Sequence, residues 1–107
     1  MNCSEKLQVI LSHFADGDWE HGEGITVESL DNPGWMVRIS LAGTFLEDQD
    51  FAAIEAESSE EDWYVCRVEG RFFEAAGGVN NLANMIDVFY GWFDKKLSMT
   101  ARSSPSD

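Results

Sequence analysis

Basic residues are scarce in this chain. Seven Lys and Arg stand against twenty Asp and Glu among 107 residues, a formal net charge of -13. A surface this negative repels phosphate backbones and anionic lipid, which argues against nucleic acid and membranes as partners. Cysteine is nearly absent as well. Cys3 and Cys66 are too few and too far apart for a disulfide framework or a zinc knuckle. No run of eighteen apolar residues occurs, and "MNCSEKLQVILSHF" lacks a cationic region followed by an apolar one. Neither a transmembrane helix nor a secretory leader is therefore expected, and the reading is a cytoplasmic protein with reduced thiols.

What the chain does have is apolar mass. Hydrophobic residues make up 44% and aromatics 12%, enough for one core and unlike a disordered acidic tail. Leu7, Ile10, Leu11 and Phe14 fall at helical spacing, with Ser4 as the expected N-cap and "ADG" as the stop. The period then changes to two. "GITVESL" and "WMVRISLA" are alternating runs joined by "DNPG", which reads as a hairpin. In that turn Pro33 supplies the fixed φ and Gly34 a positive φ, the chemistry of a type II turn. Trp35, Val37, Ile39 and Leu41 share one face of the second strand, and Arg38 and Ser40 take the other.

Shorter strands follow around "AAIEAE" and "WYVCRVE", linked by "SSEED", and "RFFEAA" reads as a fifth after reversal at Gly70. From Gly77 onward helical spacing returns, with Leu82, Met85, Ile86, Phe89, Phe93 and Leu97 on one stripe and Asn80 or Asn81 as its cap. Gly91 interrupts that helix, and close packing is the expected reason. The predicted architecture is α+β: an antiparallel meander of about five strands, with amino- and carboxy-terminal amphipathic helices packed on one face. A single domain is expected over residues 1–97, with a flexible tail at 98–107.

Chemistry is hardest to place in "DGDWEHGEGI", Asp16 to Ile25. Asp16, Asp18 and Glu20 alternate, but Trp19 and His21 intervene, and the twelfth position from Asp16 is Val27 where a calcium loop needs Glu. Zinc would want three or four His or Cys ligands, and only His13 and His21 offer imidazole. No metal or cofactor is expected. Paired carboxylates here would support a small metal-dependent or carboxylate-based hydrolase only if a cleft pushed their pKa values apart. "AAGG" before "VNN" resembles an anion-binding turn but lacks the rest of a phosphate motif. "CRVEGR" has the C-x4-R spacing of a rhodanese loop, yet Cys66 alternates with Tyr64 and Val68 and should point into the core, where a thiol is inert.

The remaining signal is charge. Glu47, Asp48, Asp50, Glu55, Glu57, Glu60, Glu61 and Asp62 fall in one stretch without a basic residue. On a compact domain they should form one negative patch around a strand and its two flanking turns, one that steers a basic partner. Trp19 and Trp63 border acidic residues and are candidate interface anchors, against the alternative that each is core.

The segment "DGDWEHGEGITVESLDNPGWMVRISLAGT", Asp16 to Thr44, closely resembles the immunity protein 53 family of bacterial polymorphic toxin systems. The Asp62-Trp63 pair, "EAAGG" and the carboxy-terminal helix fit the same pattern, so the resemblance covers about Leu7 to Phe93. It implies a cytoplasmic protein, not an enzyme, that binds a cognate toxin domain stoichiometrically; a basic nuclease would suit the acidic surface. The partner-binding candidates are Asp18, Trp19, Glu20, His21, Glu47, Asp48, Asp50, Glu60, Glu61 and Asp62. Asp18 and Glu20 have a rival role, capping backbone amides to hold the loop shut.

Overall fold

The computed structural model describes residues 1–19 and 21–102, with side chains through residue 99. Helix α1 spans Cys3–Phe14. Its cap is Asn2 rather than Ser4: Asn2 Oδ1 accepts the Glu5 amide at 2.8 Å, and Glu5 Oε1 accepts the Asn2 amide at 2.8 Å. The reciprocal pair explains the shift. A cap at Ser4 would place Leu7 three residues on, where no carboxylate could answer.

Strands β1 (Ile25–Leu30) and β2 (Gly34–Ser40) pair from Ile25↔Ile39 to Leu30↔Gly34. The expected type II turn is not what joins them. Gly34 does not have positive φ; it is already the first paired residue of β2. Its need for a missing side chain comes from a neighbour, because a Cβ there would lie 2.3 Å from the Gly77 carbonyl oxygen. Strands β3 (Ile54–Glu57), β4 (Trp63–Glu69) and β5 (Phe72–Gly77) form a three-stranded meander. Gly70, at φ 62°, makes the β4–β5 reversal. β5 then pairs antiparallel with β2, so the sheet reads β1-β2-β5-β4-β3.

Helix α2 spans Leu82–Arg102 and packs across β2, β5 and β4, while α1 packs on α2. The helix continues past Leu97 to Arg102, and residues 103–107 lie outside the described part. Ile10 and Phe14 from α1, Met85, Ile86, Phe89 and Phe93 from α2, and Val37, Ile39, Cys66 and Phe73 from the sheet meet in one core. Each such side chain contributes about 1.5–3 kcal/mol by leaving water. Phe73 and Phe89 meet edge to face at 4.9 Å. Lys6 on α1 pairs with Asp87 on α2 at 2.5 Å. Gly91, expected to sit in a close contact, faces open space: a Cβ added there meets nothing within 4 Å.

Candidate partner-binding surfaces

The Asp16–Glu23 loop is held by its first residue. Asp16 Oδ1 accepts the amides of Asp18 at 3.0 Å and Trp19 at 2.9 Å. Those two hydrogen bonds, Trp19's first, hold the Asp16 carboxyl below its usual pKa. Asp16, not Asp18, thus caps these two amides; Glu20, the other residue for which a capping role was open, lies outside the described residues. Asp18 and His21 are exposed. Trp19 is not: it is 6% exposed, its ring meets Phe14 edge to face, and its indole N–H donates to the Ser40 carbonyl at 2.8 Å. It is a core residue that closes the loop and offers a partner almost no surface.

Glu47 joins this end of the sheet. One of its oxygens accepts the Gly43 amide at 3.1 Å and the other pairs with Arg71 at 3.0 Å. Asp16, Asp18, Glu23 and Arg71 line a shallow hollow beside it. Asp48 and Asp50 are exposed on the connection towards β3, where the Asp50 carbonyl accepts the Trp92 indole at 2.9 Å.

Glu60, Glu61 and Asp62 occupy the β3–β4 turn at the opposite end. Here the buried Asn81, at the start of α2, acts as a latch. Its amide nitrogen donates to Asp62 Oδ1 at 2.9 Å, and its carbonyl oxygen accepts the Trp63 amide at 3.3 Å. Asp62 therefore has a structural duty, while Glu60 and Glu61 are exposed. Between this turn and the Glu47–Arg71 pair runs β4, seven residues long. At about 3.3 Å per residue that is roughly 20 Å, more than twice the screening length of about 8 Å at physiological salt. The acidic stretch 47–62 is thus drawn out along β3, whose exposed Glu55 and Glu57 lie between the end groups in the two flanking connections.

Strand alternation leaves a second surface. Val37, Ile39, Cys66, Phe73 and Ala75 turn towards the helices, so their neighbours face away, onto a side that no described element covers. Across that side the register aligns Glu28, Met36, Ala76, Val65 and Glu55 in one row, one residue from each strand. The adjacent row is ionic. Arg38 lies 3.8 Å from the Phe72 ring centroid and pairs with Glu74 at 3.4 Å and Glu23 at 3.7 Å. Its buried Nε makes no hydrogen bond, so Coulomb attraction and the ring hold it. Arg67 pairs with Glu74 at 3.2 Å and Glu69 at 3.7 Å.

Trp63 belongs to this open face too, three residues before the inward Cys66. Trp19, Trp35 and Trp92 each donate their indole N–H to a backbone carbonyl. Among the described residues Trp63 alone of the four has no such bond, and it does not pack against the core. Sequence reasoning missed Met36 and Val65 as surface candidates. The available signal was an apolar side chain at outward strand positions, where alternation calls for a polar one.

Cys66 is 1% exposed, and burial pushes its thiol up to about 11. It stays protonated and enclosed at neutral pH, which suits packing and not nucleophilic work. Among the described residues no three His, Cys, Asp or Glu side chains come together to hold a metal ion. No helix there is long and apolar enough to cross a membrane.

Comparison with known proteins gives one positive result. The family model for Immunity protein 53 matches residues 4–94 of the chain. No curated protein and no solved structure matches it. The chain belongs to the immunity protein 53 family.

Proposed function

We propose that this immunity protein 53 family member binds a cognate bacterial toxin domain in the cytoplasm and neutralises it by stoichiometric occlusion. The family match over residues 4–94 carries the reading. The net charge of -13 supports a basic partner, for which a nuclease domain is the natural candidate, its nucleic-acid site being positive. Asp18 at one end of the sheet, Asp48 and Asp50 beside it, and Glu60 and Glu61 at the other act as exposed steering groups, and the exposed His21 near Asp18 is a contact residue. Charges at such a rim mainly raise the association rate. Glu47 and Asp62, each engaged within the protein, hold those surfaces in shape.

The test is co-expression with the carboxy-terminal domain of a large secreted protein encoded beside this gene. The expected result is restored growth and a one-to-one complex in pull-down, with association slowed by added salt. A toxin domain that stays lethal and is not retained would refute the proposal. Replacing Glu60 and Glu61 by Lys should flatten the salt dependence; Asp62 is left in place because the Asn81 latch needs it.

A further inference from the structure

We infer that the helix-free face of the sheet is the surface on which the toxin docks, an assignment that rests on the immunity reading above. The rim charges lie at the ends of the sheet, and a stable complex also needs a dry centre built from large apolar side chains. The open face supplies one. Met36, Ala76 and Val65 form an apolar strip across three adjacent strands, and Val65 is 38% exposed. Trp63 stands two residues from Val65 on the same side of β4, with its indole N–H unbonded. Tryptophan with a free donor beside an apolar strip is the side-chain type that anchors interfaces.

The chemistry of the occupant follows from the ends of the row. Glu28 and Glu55 flank the strip on the two edge strands. Neither makes an ion pair among the described residues, whereas Arg38 and Arg67 are already neutralised by Glu74, Glu23 and Glu69. The free charge on this face is therefore negative. Four strand spacings of about 4.8 Å separate the two carboxylates, so they stand about 19 Å apart. The matching surface presents apolar side chains between two clusters of Lys or Arg at that separation. A second copy of this chain does not fit: two molecules at -13 would bring like charges together.

The experiment titrates the toxin domain encoded beside the gene against wild type, Val65→Arg, Glu28→Lys with Glu55→Lys, and Glu60→Lys with Glu61→Lys. Circular dichroism and melting verify each fold. Val65→Arg, and separately the Glu28/Glu55 pair, should each weaken binding by about 30-fold or more, the scale of a lost hot spot. The Glu60/Glu61 pair should mainly slow association. Trp63 emission should shift to the blue on binding, and Trp63→Phe should abolish that shift. The edge glutamates, being exposed, keep the test valid if Val65→Arg unfolds. Wild-type binding with unchanged affinity in the face variants overturns this surface and leaves the immunity reading standing. No binding by wild type overturns both. A wild-type dimer that Val65→Arg splits would assign the face to a second copy instead.

Discussion

Gly34 and Gly77 approach so closely that a methyl group on the first would lie 2.3 Å from the carbonyl oxygen of the second. The contact sits where the β1–β2 hairpin is joined to the meander, at the Gly77 end of the β2–β5 ladder. The obstructing atom is backbone, which no rotamer change can move aside. Gly34→Ala should therefore cost about 1–3 kcal/mol, the range for overpacking a tight site. Gly34→Asn separates this cause from a turn requirement. Asn tolerates positive φ, so a turn glycine would accept it better than Ala; a steric glycine accepts it worse. Denaturant midpoints of the two variants decide the matter, and an Asn variant more stable than the Ala variant would reject the steric account.

The Asn81 latch makes the second prediction. Asn81 is 2% exposed and its side chain bonds Asp62, Trp63 and Asn84. Asn81→Ala strands the Trp63 amide and frees the β3–β4 turn, at a cost of about 1–3 kcal/mol for unsatisfied groups. Asp62→Asn retains an acceptor and should be nearly silent, whereas Asp62→Lys should not. Hydrogen exchange at the Trp63 amide checks the mechanism: protection should fall in Asn81→Ala and persist in Asp62→Asn.

How much of this was legible beforehand depends on the range of the interaction. The helical stripe from Leu82 to Leu97, the alternation of Trp35 to Leu41 and the reversal at Gly70 are local patterns, and the chain follows them. Gly34 was singled out for the wrong reason, because the atom that requires it belongs to a strand more than thirty residues later. The two Asp-Trp pairs show the same limit for the site. Asp18-Trp19 and Asp62-Trp63 look alike in sequence, yet Trp19 folds back onto Phe14 and Trp63 does not join the core. Parity distinguishes them only once Cys66 is fixed as inward, three residues after Trp63. The acidic stretch was legible as a strand with two flanking connections, but not its span, because β3 draws its ends apart.

Gly91 gives a stabilising prediction. It is exposed in the interior of α2, and an added Cβ meets nothing within 4 Å. Gly91→Ala then removes only the backbone-entropy penalty of glycine, a gain of about 1 kcal/mol. For a domain near this size the melting temperature should rise by about 4–8 °C. An unchanged or lowered melting point would refute the account of Gly91 as a plain helix-propensity cost.

Asp16 makes the closure of its loop sensitive to acid. Its folded pKa is lowered by the Trp19 and Asp18 amides, so the ionised form is favoured by folding. The resulting stability is fully present above the ordinary carboxylate pKa of about 3.9 and is lost as pH falls through the lower folded value. Asp16→Asn keeps an oxygen to accept both amides but cannot titrate. Its melting temperature should fall less steeply with acid than wild type, and the two curves should converge at the lowest pH. Asp16→Ala lacks the acceptor and should lie below both at neutral pH, with Trp19 emission shifted to the red as the loop opens over Ser40. A variant Asp16→Asn that reproduced the full acid slope of wild type would place that titration elsewhere among the carboxylates, and would separate the closure of the loop from the charge at its first residue.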